Sequence, residues 1–142
     1  MRQHLLRVAR PVVEFGPLIA AARQQGLRVG WLEWPGDPAA DAAPGPLPRS
    51  LAAAAESGVL RAVAIDGGLS VAVKPMRGGP VLHDVLREHF RGCSLVLVIG
   101  EIDAPWLEPR GEGWSVRREE RPESHWTTDQ LIGALRKPRP WS

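Results

Sequence analysis

Five consecutive apolar residues, Leu95-Val96-Leu97-Val98-Ile99, constrain this chain more than any other stretch. A run this short with no polar face suits a strand covered on both sides, as in the middle of a parallel sheet. The residues before it predict a helix. Leu82, Val85, Leu86, His89 and Phe90 fall three and four apart and so share one face. Gly79-Pro80 sets the start, because proline tolerates the first helical turn, and Gly92 sets the stop. Gly100-Glu101 closes the strand. That is the edge at which open α/β sheets hold their ligands, which makes both residues site candidates.

The flanking elements follow from the same rules. Leu5 to Ala9 is a short strand and Pro11 to Phe15 a turn or irregular entry. Gly16 to Gln25 is a helix with Leu18, Ile19 and Ala22 inward and Gly26 as its stop. Leu27 to Trp34 is a strand with Val29 and Trp31 on one face. Asp37 to Pro46 is a Pro/Ala/Gly-rich loop, and Pro48 to Ser57 an alanine-rich helix. Val59 to Ile65 and Leu69 to Lys74 flank Asp66-Gly67-Gly68, a hairpin signal. Trp106 to Glu108 and Trp114 to Arg117 form a second strand pair, and Arg118 to Ser124 is charged and exposed. Thr127 and Gln130 have capping-box spacing and open a last helix with Leu131, Ile132 and Leu135 inward. Helices alternating with strands predict an α/β fold: a mostly parallel sheet with helices on both faces and added hairpins. At 142 residues one domain covers residues 1–142.

Composition removes several function classes. A net charge of +2 with no dense basic run argues against nucleic acid. No apolar run approaches a membrane span, and the N-terminus lacks a signal core. The single cysteine, Cys93, forms no internal pair, so a reducing, cytoplasmic setting is expected. Cys93 reads as a packing residue. The histidines show no metal spacing, and His89 reads as a packed helix residue. No G-x-S-x-G elbow anchors a hydrolase triad. Glu33, Asp37, Glu101 and Asp103 all fall near the carboxyl ends of strands and could hold a hard cation, though solvated loop carboxylates are the simpler reading, and no metal site is assigned. The six tryptophans suggest exposed contact surface for a protein partner or a second copy.

With the elements placed, a resemblance emerges. Leu18 to Ala22 followed by Gly26-Leu27-Arg28-Val29-Gly30 resembles the first helix and second strand of the molybdopterin-guanine dinucleotide biosynthesis protein B (MobB) family. Pro44-Gly45, Arg49-Ser50 and Glu56-Ser57-Gly58 are similar to its next segment. Val63-Ala64 to Ser70-Val71-Ala72-Val73 looks like its following two strands. Leu82 to Phe90 and then Ser94 to Gly100 resemble its "LL…DLVLVEG" element, and Asp103-Ala104-Pro105 also fits. The match covers roughly residues 5–110. It implies a P-loop NTPase-like fold, a role in molybdenum cofactor biosynthesis, and a dimer.

The family's GTP site departs here at three places. Its phosphate loop, G-x-x-x-x-G-K-[ST], falls on Arg7 to Gly16, which has one glycine and no lysine, while Pro11 lacks an N–H. Its strand-end carboxylate falls on Ile99, and its Lys-His pair on Glu33-Trp34. The expectation is therefore a MobB-like accessory or adaptor protein without a functional GTP site, with no catalytic residue and no cofactor. Its partner would be a molybdenum-cofactor maturation component, or a second copy in a homodimer. Vestigial nucleotide contacts would fall on Arg7, Arg10, Glu33, Gly100 and Glu101. Two alternatives stand beside it: weak GTP binding or hydrolysis with Mg through a non-standard loop, and a binding module in an unrelated pathway.

Overall fold

The computed structural model describes residues 3–34, 47–76 and 78–141. The loop read over Asp37 to Pro46, with the Asp37 carboxylate and the Pro44-Gly45 match, lies outside the described residues. The chain divides into two compact units, one of residues 1–38 and 86–142, the other of residues 39–85.

The larger unit is built on a six-stranded sheet. Its strands are β1 (His4–Arg7), β2 (Val29–Glu33), β5 (Leu95–Ile99), β6 (Trp106–Arg110), β7 (Gly113–Arg117) and β8 (Ser124–Trp126). They lie in the order β2-β5-β1-β6-β7-β8. The first four run parallel, and β7 and β8 return antiparallel. β5 is therefore internal, between β2 and β1, and Leu95 to Val98 are fully buried. The uninterrupted apolar run is the sequence signature of that position.

Register sorts the side chains into rows. Trp31 pairs with Leu97, and Leu97 with Leu6, so these three point to the same face. Helices α1 (Gly16–Gln24) and α4 (Thr128–Ala134) cover this face. Leu18 and Ala22 of α1 and Leu131 and Ile132 of α4 join Leu6, Leu97 and Leu107 in one core. Phe15 stacks on Trp114 there, at 5.8 Å between centroids. The α4 start is the predicted capping box: Thr127 Oγ1 accepts from Gln130 N (3.1 Å), and Gln130 Oε1 accepts from Thr127 N (2.9 Å). Each bond satisfies a helix-end donor that would otherwise lack a partner.

Several expectations need correction. Helices α1 and α4 share one face of the sheet. On the opposite face the turn after α3 (Leu82–His89) brings Phe90 and Cys93 over Gly30, where an added Cβ would collide with the Phe90 ring. Farther along that face, β6 and β7 carry Glu108, Arg110 and Arg117 in ion pairs, as an antiparallel sheet with one wet side allows. The helical face of α3 is only half-buried, and His89 is exposed beside Glu88 rather than packed. Of the two readings for Pro11 to Phe15, the turn is the one that forms, as a 3-10 turn over residues 12–15. The charged stretch after Arg117 ends in a strand, β8, that sequence periodicity does not announce.

The smaller unit is α2 (Arg49–Glu56) on a hairpin of β3 (Ala62–Asp66) and β4 (Leu69–Val73). Gly67 takes positive φ (59°) in the Gly67-Gly68 turn, which closes the Asp66–Leu69 pair as the Asp-Gly signal predicts. The helix buries Leu51 and Ala55 against Val73, with Ala62 beside them. The rest of the hairpin is open. Ile65 and Leu69 are each 77% exposed, and Val63 and Val71 are also exposed.

Candidate functional site

The site grows from one row of residues at the carboxyl ends of the parallel strands. Leu32 pairs with Val98, Val98 with Arg7, Arg7 with Trp106, and Trp106 with Arg117. This row faces away from α1 and α4, because it alternates with the Leu97 row. Register alone therefore sets Arg7 beside Trp106, ninety-nine positions later. The guanidinium carbon of Arg7 lies 3.9 Å from the centre of the Trp106 ring. That is a stacked cation–π contact, the geometry arginine favours on an aromatic face. Arg7 Nε also donates to Gly100 O at 3.1 Å. The stack fixes the plane of the guanidinium, and the hydrogen bond fixes its rotation within that plane.

Gly100 is built for this contact. Its φ is 141°, and a Cβ there would lie 2.5 Å from the backbone oxygen of Trp34. Only glycine lets β5 turn this tightly past the end of β2 while its carbonyl reaches Arg7. Trp34 N donates to Ile99 O at 2.8 Å and extends the β2–β5 ladder to the same point.

Beyond Arg7 opens a crevice of about 800 Å3. Its basic lining is Arg7, Arg117, Arg118 and Arg121, and its acidic lining is Glu101, Asp103, Glu119 and Glu120. The two charges balance. Among the described residues, the ion pairs of this face join Arg110 to Glu108 and Glu123, and Arg117 to Glu108; they leave out Arg7, Glu101 and Asp103. Nearby, Ser115 Oγ donates to Glu123 Oε1. That hydroxyl holds the Glu123 carboxyl below the usual carboxylate range against the opposing effect of burial, and Arg110 and His125 add to the lowering.

Of the sequence-derived candidates, Arg7, Gly100 and Glu101 come together here. Arg10 and Glu33 do not: Arg10 is exposed in the loop after β1, and Glu33 is exposed at the end of edge strand β2, opposite Ile99. Among the described residues, no three His, Cys, Asp or Glu side chains are grouped to hold a metal ion, so Glu33, Glu101 and Asp103 form no cation cage with one another. Sequence reading missed Trp106 as a site residue; its pairing with Arg7 exists only through register.

The β1–α1 connection has its own geometry. Pro11 precedes the 3-10 turn Val12–Phe15, which runs directly into α1 at Gly16, with φ −51°. No residue from 8 to 16 has positive φ. A phosphate nest needs left-handed residues that turn successive N–H groups inward, and none is present in this segment. Val12 and Val13 are instead exposed, Val13 by 77%.

The tryptophans also differ from expectation. None of the six is exposed. Trp31 packs on the core with Phe15, Trp114 Nε1 donates to Thr128 Oγ1 (2.9 Å), and Trp126 and Trp141 meet edge to face. The Cys93 thiol is pushed up by burial, against the Arg28 guanidinium, which suits packing rather than nucleophilic chemistry. Among the described residues, no helix is long and apolar enough to cross a membrane. Protein-family models, curated proteins and solved structures return no match to this chain.

Proposed function

We propose that this chain is a MobB-like accessory protein of molybdenum cofactor biosynthesis that works by binding, without a functional GTP site. The observation that carries the binding part is the β1–α1 connection. It lacks a lysine, lacks a donor at Pro11 and has no left-handed residue, so the three things a phosphate loop supplies are missing together. The molybdenum part rests on the residue resemblance along roughly 5–110 and on the order of elements. The partner is a molybdenum-cofactor maturation component, a second copy, or both. The open hairpin β3–β4 supports a protein partner, since Val63 and Ile65 stand exposed on one of its faces, Leu69 and Val71 stand exposed on the other, and among the described residues its outer strand edges are unpaired.

A second reading, weak GTP binding with Mg through a non-standard loop, draws on Arg7, which is held in place as a phosphate-binding arginine would be. The balanced charge of the crevice weighs against it, because a triphosphate would meet as many carboxylates as guanidinium groups.

The adaptor reading is tested by assembly. Sedimentation of the purified chain gives a dimer, and Ile65→Lys returns it to a monomer; or a tagged chain retains a molybdenum-cofactor maturation protein that Ile65→Lys releases. A monomer that retains none of these proteins sinks the reading.

A further inference from the structure

We propose that the crevice beside Arg7 is a binding site for a small zwitterion of the amino-acid or short-peptide class, with its carboxylate on Arg7 and its ammonium group on Glu101 and Asp103. The inference stands on the crevice alone and does not depend on the molybdenum reading.

Arg7 supplies the anion subsite. Its Nε is already committed to Gly100 O, and its face lies on Trp106. What remains for a ligand is the pair of terminal nitrogens, a fork that matches the two oxygens of a carboxylate. A fork fixed in plane and rotation loses little freedom on binding, which is the condition for useful affinity from one contact. Arg7 also sits where a ligand is expected from topology. β1 connects onward to β2 on one side of it, and β5 passes across it to β6 on the other, so the carboxyl ends of β1 and β5 flank a switch in strand order.

The choice of a zwitterion comes from the rest of the lining. Glu101 and Asp103 border the same crevice and stay outside the ion pairs of this face. A polyphosphate would carry several negative charges into a lining that is half acidic. A lone carboxylate would satisfy Arg7 and leave the two acids unused. A compact ligand with one charge of each sign uses both.

The test is nitrogen-15 NMR on the full, uniformly labelled chain, titrated in turn with glycylglycine, acetate and pyrophosphate. Glycylglycine is expected to move the Arg7 Nε–H and Trp106 Nε1–H resonances and to bind about tenfold more tightly than acetate, the fold-change of one added charge-assisted contact. Glu101→Gln with Asp103→Asn, both at the solvent edge, should erase that preference, and an undiminished preference would overturn the ammonium subsite. Arg7→Lys, which keeps the charge and loses the fork, should weaken both ligands about tenfold. Circular dichroism confirms that each variant is folded. Pyrophosphate binding more tightly than glycylglycine would overturn the zwitterion assignment in favour of a phosphate site. No movement at Arg7 and Trp106 with any of the three would overturn the site itself.

Discussion

Gly100→Ala is the substitution most revealing of how the fold holds the crevice. Two costs can be assigned. An alanine at φ 141° occupies a region that L side chains rarely adopt, a strain of about 1–3 kcal/mol. Its Cβ would also lie 2.5 Å from Trp34 O, a backbone atom that cannot swing aside as a side-chain tip does. Relief requires the end of β2 to move, with loss of the Trp34 N to Ile99 O bond (2.8 Å), about 0.5–1.5 kcal/mol net. Together the cost is about 2–4 kcal/mol. For a chain of this size about 4 °C accompanies each kcal/mol, so Tm should fall by about 8–16 °C. Gly16→Ala is the matched control. Its φ is −51° at the start of α1, and nothing lies within 4 Å of the new Cβ, so Tm should hold or rise slightly. Calorimetric melting of both variants beside the parent chain gives the comparison. Equal Tm values for Gly100→Ala and Gly16→Ala would refute the claim that the β2–β5 edge is closed around a glycine.

Leu97→Asp should abolish folding, because an unpaired carboxylate in the middle of the internal strand costs several kcal/mol against a total stability of about 5–15; a cooperative melt at the parent Tm would show that β5 is not central. Ser115→Ala should destabilise the chain in a pH-dependent way. Glu123 has a lowered pKa when folded, so its contribution is present above the ordinary carboxylate pKa, about 4.3, and is lost as pH falls through the folded value. The gap between parent and Ser115→Ala should therefore narrow below about pH 4 in urea titrations; a gap that widens there would reverse the assigned sign.

The elements legible in the sequence are those whose cause is local. The Leu95–Ile99 run, the Thr127–Gln130 capping box and the Asp66-Gly67 turn each carry their reason within a few residues, and each forms where the pattern places it. β8 was not legible, because three residues, Ser124-His125-Trp126, cannot display an alternation, and their strand exists only as the edge partner of β7. The crevice was half legible. Gly100 and Glu101 follow from the strand-end rule, and Arg7 from the resemblance of its segment to a phosphate loop, but the Arg7–Trp106 stack depends on how β1 and β6 align. Glu33 reads as a site residue by the same rule, yet pairs with Ile99 on the edge strand, one row from Arg7 and on the other face. The tryptophan count misled because number says nothing of burial. Trp31 and Trp114 pack in the core, and the exposed apolar residues lie on the hairpin, where short aliphatic strands give no sign of being uncovered.

The central claim is that the β1–α1 connection does not hold phosphate. Titration calorimetry with GTP and magnesium, read beside the melting curve, tests it most directly. A working phosphate loop would gain about 2.7 kcal/mol at a hundred times the dissociation constant, about a 10 °C rise in Tm. The account predicts no heat of binding, no rise in Tm at millimolar GTP, and no hydrolysis above background. Micromolar binding that requires magnesium would contradict it.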